Sequence, residues 1–109
     1  EIDLPMAVII NSSTASAAEL FAASIRDYEK GAIIGEKSFG KGVMQKTYRL
    51  YDRSAIRFTV ARYYSKNGVS YNKKGIEPDI NIELSEEYKN DPIEEKDNQL
   101  NEALKILSE

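Results

Sequence analysis

Met6-Ala-Val-Ile-Ile10, Asn11-Ser-Ser-Thr-Ala-Ser16-Ala-Ala-Glu19 and Gly31-Ala-Ile-Ile-Gly35 decide the fold. The first is a continuous apolar run after Pro5, which suits a strand buried on both faces. Asn11 to Thr14 is turn chemistry. A helix is predicted next, from Ser16 to Glu29. There Ala17, Leu20, Phe21, Ser24, Ile25 and Tyr28 fall on adjoining turns and give one apolar face. Gly31 reads as its C-terminal stop, and Ala32 to Gly35 as a second short buried strand. A strand, a helix and a strand in such quick succession predict a βαβ unit with parallel strands.

Beyond Gly42 the apolar period drops from 3.6 to 2. Met44, Tyr48 and Leu50 share one face of Val43–Tyr51, with Lys46 as the exception. Ile56, Phe58 and Val60 share one face of Ala55–Tyr63. The short Asp52-Arg53 link makes these an antiparallel hairpin. Lys66-Asn67-Gly68 and Gly75 to Pro78 are breaks. Asp79 to Leu84 alternates as a last strand. Asp91-Pro92 is expected to open a final helix, with Pro at the first helical position and Leu100, Ala103, Leu104 and Leu107 as its apolar stripe. The class is α/β with a mixed sheet.

At 109 residues there is room for one domain. The chain has no cysteine and no histidine. That excludes a disulfide scaffold, a thiolate zinc site, a cysteine nucleophile and an imidazole base. A metal site would need carboxylates alone, and no metal or cofactor is expected. Residues 1–82 carry twelve Lys/Arg against nine Asp/Glu, while residues 83–109 carry three against nine. An acidic end on a mildly basic body argues against nucleic-acid binding. The longest apolar run, Met6–Ile10, is too short to cross a membrane. The chain opens on Glu1 and enters a core strand almost at once, which predicts a piece of a larger protein.

Two loops have chemical potential. Ser16 and Glu19 form S-x-x-E, the capping-box pattern, in which each satisfies a free backbone donor of the first helical turn. The same geometry presents a serine at the positive end of a helix, where free N–H groups can stabilise an oxyanion. Both readings hold until Ser16 needs a base. The second loop, Gly35-Glu-Lys-Ser-Phe-Gly-Lys41-Gly42, nearly matches the phosphate-binding G-x-x-x-x-G-K-[ST]. Gly42 replaces the hydroxyl that would hold Mg²⁺, and a strand follows where a helix is required, so nucleotide binding is disfavoured. The bland reading is a surface turn with an exposed lysine. The chemical one is a serine–lysine pair. A lysine at the reference pKa of about 10.4 is charged, but burial without a carboxylate partner can free the amine to act as a base. Gln45, four residues on, has a neutral amide that could hold that amine without stabilising its charge.

These residues resemble the carboxyl-terminal processing (tail-specific) peptidases, serine peptidases with a Ser/Lys dyad. The likeness runs from Pro5 to Leu107. The family's Asn-x-x-Ser-Ala-Ser-Ala-Ser-Glu is Asn11 to Glu19 here, with Ser13, Thr14 and Ala18 as departures, and its Gly-Glu-Lys-Thr-Phe-Gly-Lys-Gly is Gly35 to Gly42, with Ser38 for Thr. Ala61-Arg-Tyr-Tyr64, Gly75-Ile-Glu-Pro-Asp79 and the ending Asp97 to Leu107 are also similar to it, whereas Arg53 stands where a glycine is usual.

The resemblance implies Ser16 as nucleophile, Lys41 as general base, Gln45 as its support and the N–H of Ala17 as an oxyanion donor. It implies a crotonase/Clp-type spiral ββα fold, of which residues 1–109 would be the C-terminal part of one peptidase domain. The domain's first part, with the second oxyanion donor, and a PDZ domain would lie elsewhere, leaving these residues alone with little or no activity. It further implies protein or peptide substrates, an extracytoplasmic and membrane-associated parent, and a homo-oligomer is a further expectation. The alternative is a non-catalytic binding or scaffold module of the same fold, with Ser16 a cap only.

Overall fold

The computed structural model describes residues 4–108. β1 (Met6–Ile10), α1 (Ala17–Asp27) and β2 (Gly31–Gly35) form the expected βαβ unit. The strands pair in parallel, from Met6 opposite Gly31 to Ile10 opposite Gly35. Two residues of β5 (Ile80–Asn81) add to the other edge of β2, giving the order β1-β2-β5. Neighbouring residues of a strand point to opposite faces. Ile33 and Ile34 of the central strand are both fully buried, so both faces of the sheet are covered. On one side Ile33 packs with Ile10 and with Ala22 and Ala23 of α1, joined by Tyr71 and Ile76. The C-terminal helix also packs against β1 and β2.

Gly31 does not stop α1. Glu29 takes the left-handed position at φ 55°. Lys30 N–H donates to Ile25 O and Glu29 N–H to Arg26 O, each at 2.9 Å, the two bonds of a Schellman ending. Gly31 is already in β2, where a Cβ would collide with the carbonyl of Met6.

β3 (Val43–Arg49) and β4 (Ala55–Arg62) form the antiparallel hairpin, with a bulge between Met44 and Gln45. Parallel and antiparallel pairing therefore sit in two sheets rather than one. Arg53 takes the turn at φ 71° that a glycine would adopt without strain. Tyr48 stacks on Phe58 with ring centroids 5.2 Å apart. Every residue from Met44 to Arg62 is nonetheless exposed. The hairpin stands off the body, and the radius of gyration is 17.1 Å, against about 13 Å for a compact chain of this size.

The C-terminal third departs most from expectation. The last strand is only Ile80–Asn81 because the chain beyond it is claimed by side chains. Gln99 Nε2 donates to Ile82 O at 2.7 Å and Asn98 Nδ2 to Glu83 O at 2.8 Å. A short helix not foreseen, α2 (Glu86–Asn90), follows, with the Ser85 hydroxyl accepting from Tyr88 N–H. Pro92 opens no helix. A 3-10 turn spans Glu94–Lys96, and α3 (Asn98–Ser108) starts at Asp97, whose Oδ1 accepts from the N–H of Gln99 and Leu100 at 3.0 and 2.9 Å. Capping by Asp97 and anchoring by Asn98 and Gln99 place the start there. Gln99 and Ala103 are buried, whereas Leu104 and Leu107 of the expected stripe stay exposed.

Candidate functional site

The turn between β1 and α1 is built by its own polar side chains. Asn11 Oδ1 accepts from Ser13 N–H at 2.9 Å, and Thr14 Oγ1 accepts from Asn11 N–H at 3.0 Å. The turn delivers Ser16 at φ 58°, ψ −118°. That conformation strains any residue with a Cβ, by about 1–3 kcal/mol. Strained strand-to-helix turns of this kind lift a serine clear of the sheet. Ala17 is the first helical residue and exposed. Its N–H has no acceptor within the helix, as for any first-turn donor.

The loop Gly35–Gly42 is held from several sides. Glu36 N–H donates to Ile10 O, Phe39 N–H to Thr14 O, and Ser38 N–H to Ile76 O. Gly40, at φ 91°, passes so close to Gly75 that a Cβ would lie 2.7 Å from its backbone nitrogen. Only a glycine fits there.

The two segments meet at Glu19. Its carboxylate is completely buried. Oε1 accepts from the Ser38 hydroxyl at 2.5 Å and from Gly40 N–H at 2.6 Å. Oε2 accepts from Ser16 N–H at 3.0 Å and from Lys41 N–H at 2.8 Å. Ser38 Oγ in turn accepts from Ile76 N–H at 2.7 Å. Ser16 and Glu19 stand as a capping box, of which the Ser16 N–H to Glu19 half has hydrogen-bond geometry while the serine hydroxyl makes no cap bond. Sequence reasoning identified Glu19 as a cap only. The near-match to a phosphate loop was the missed signal, because the glycine loop does embrace an anion, and that anion is Glu19.

The four candidate residues fare differently. Ser16 and Lys41 are half-buried and share one oxygen of Glu19 through their backbones. Lys41 is thus less buried than a dry lysine base requires. Among the described residues its Nζ has no carboxylate or hydrogen-bond partner. Gln45 lies in β3 just after the bulge and is exposed, and among the described residues its amide has no partner. No group of three or more acids among the described residues is placed to hold a metal ion. No helix among them is long and apolar enough to cross a membrane.

Beneath the site Tyr71 is buried, and among the described residues its hydroxyl has no hydrogen-bond partner. Desolvation, then the charge of Glu19, then Tyr63, raise its pKa above the ordinary phenol value. The fold therefore favours the neutral phenol. This contribution is fully present below about pH 10 and is lost as pH rises through the raised value. Tyr71→Phe removes an unsatisfied hydroxyl. It is expected to stabilise the chain by about 1 kcal/mol at neutral pH and to flatten the fall in melting temperature above pH 10. An unchanged alkaline profile contradicts this.

Comparison with known proteins shows the family to which this fold belongs. The model of "Peptidase family S41" matches residues 1–82. The chloroplastic C-terminal processing peptidase of Tetradesmus obliquus is 43% identical over 79 residues, 72% of this chain and 17% of that protein. The carboxy-terminal-processing protease of Bartonella bacilliformis is 44% identical over 87 residues, 78% and 20%. The structure of a photosystem II D1 C-terminal processing protease superposes with a TM-score of 0.67 at 43% identity, over 72% of this chain and 20% of that one. The chain thus spans about a fifth of the length of these relatives, and the family model's match over residues 1–82 takes in the serine turn, the glycine–lysine loop and the hairpin. With 82 of its 109 residues inside the family model and the two loops joined at a buried carboxylate, the chain belongs to peptidase family S41.

Proposed function

We propose that this chain is the C-terminal part of the peptidase domain of a Ser/Lys endopeptidase that cuts protein substrates near their C-termini. Ser16 Oγ attacks the scissile carbonyl carbon while Lys41 Nζ takes its proton. The tetrahedral oxyanion faces the N–H of Ala17. Lys41 then gives the proton to the leaving amine, and water attacks the acyl-serine with Lys41 as base again. Gln45 positions the amine once the hairpin is packed against the rest of the domain. The second oxyanion donor comes from the preceding part of the domain. Lacking one donor typically lowers the rate about 10²–10³-fold, so the 109 residues alone turn over little.

The observation that supports this reading best is the single oxygen of Glu19 accepting from the backbones of both Ser16 and Lys41. A scaffold with Ser16 as a mere cap has no need for that link. The relatives' names speak of C-terminal processing in a chloroplast and in bacteria. For this protein we place the activity outside the cytoplasmic membrane, in a membrane-associated parent. The exposed apolar residues of the hairpin favour self-association.

The test is digestion of an unfolded protein by the longer peptidase, with products mapped by mass spectrometry. Cuts confined to the substrate's C-terminal region, abolished by Ser16→Ala, are the expected result. Scattered cuts overturn the tail preference, and undiminished cleavage by Ser16→Ala overturns the nucleophile.

A further inference from the structure

We propose that Glu19 is a positioning residue of the peptidase site, a role that rests on the Ser16 and Lys41 assignment above. An ordinary capping glutamate returns one hydrogen bond to the cap and keeps its second oxygen for solvent. Glu19 is completely buried, and both its oxygens are filled by four donors. Three of those donors are backbone N–H groups, of Ser16, Gly40 and Lys41. Among the described residues no cation pairs with it.

The loop thus behaves as an anion nest. Successive N–H groups of Gly40 and Lys41, curved by the φ 91° of Gly40, converge on one carboxylate. A nest that fits phosphate in other proteins is here filled from within the chain. Its occupant comes from the first turn of the helix that carries the nucleophile. Glu19 therefore sets the distance between the serine turn and the lysine loop. It also helps hold Ser16 in its strained conformation, which persists only where surrounding bonds over-determine it. Small displacements of this register have large consequences, because a misplacement of about 1 Å can reduce a rate about 10²-fold.

The role is tested in the intact peptidase by the rate at which a fluorophosphonate labels Ser16. In that reaction Oγ bonds to phosphorus, fluoride leaves and Lys41 takes the proton. Glu19→Gln keeps the shape but turns an amide NH₂ toward N–H donors. It is expected to slow labelling about 10-fold or more and to move the amide proton resonances of Gly40 and Lys41 upfield. Glu19→Ala leaves an empty nest, and formate is expected to restore its labelling several-fold, saturably, while chloride at equal ionic strength does not. If Glu19→Ala loses its cooperative melt, Glu19→Gln decides.

Labelling of Glu19→Gln at the wild-type rate overturns the proposal. So does formate that raises the melting temperature of Glu19→Ala without restoring its labelling. Wild-type protein that does not label at all overturns the Ser/Lys reading instead, a result distinct from the other two.

Discussion

Lys41→Arg in the longer peptidase is expected to lower the acylation rate about 10²–10⁴-fold, the usual contribution of a general base. Arginine keeps the positive charge and much of the reach, so a purely electrostatic or packing role would survive the exchange. Its guanidinium cannot be deprotonated in a protein and has no lone pair to offer the Ser16 hydroxyl. The described residues place no carboxylate on Lys41 Nζ, the arrangement a neutral amine needs. The N–H of residue 41 still donates to Glu19 in the variant, since that bond is made by the backbone. The measurement is single-turnover acylation across pH. The variant is expected to remain slow at every pH. A variant that keeps the wild-type rate removes Lys41 from the mechanism.

The second large effect separates stability from activity at a single residue. Ser16→Ala and Ser16→Gly both remove the proposed nucleophile, and both are expected to lose essentially all hydrolysis. They differ in the backbone. Alanine retains a Cβ at φ 58°, ψ −118°, where a glycine sits freely. Relief of about 1–3 kcal/mol of strain, less about 0.5–1 kcal/mol for the extra freedom of an unfolded glycine, leaves Ser16→Gly about 1 kcal/mol more stable than Ser16→Ala. Both variants lack the hydroxyl, so their difference in denaturant midpoint reads the backbone alone. Equal midpoints, or a less stable glycine variant, would show that the turn stores no strain.

Periodicity carried the local part of this fold well and the long-range part poorly. The runs Met6–Ile10 and Ala32–Gly35, with one apolar helical face between them, read as βαβ because each signal is local and repeats along the segment. The hairpin was legible for the same reason. The start of α3 was not. Asp91-Pro92 and Asp97 are both competent openings, and the choice between them was made by Asn98 and Gln99 reaching the carbonyls of Glu83 and Ile82. Gly31 was misread as a stop because a close approach to Met6 leaves no mark in the local sequence.

The site shows the same division. Ser16 and Lys41 are assigned by resemblance to a known family, and the structure brings their backbones to one oxygen of Glu19. Glu19 was visible only as a cap, since nothing in S-x-x-E says that the glutamate's other oxygen meets a loop twenty residues on. Gln45 is the converse case: its spacing from Lys41 places it well along the chain, yet in β3 it faces solvent.

Three of the four donors around Glu19 are peptide amides rather than side chains. Every amino acid except proline supplies such an amide. The frame of the site is thus indifferent to which functional group stands at position 41. New chemistry could be written there, by substitution or in the course of evolution, without dismantling the scaffold that aims it.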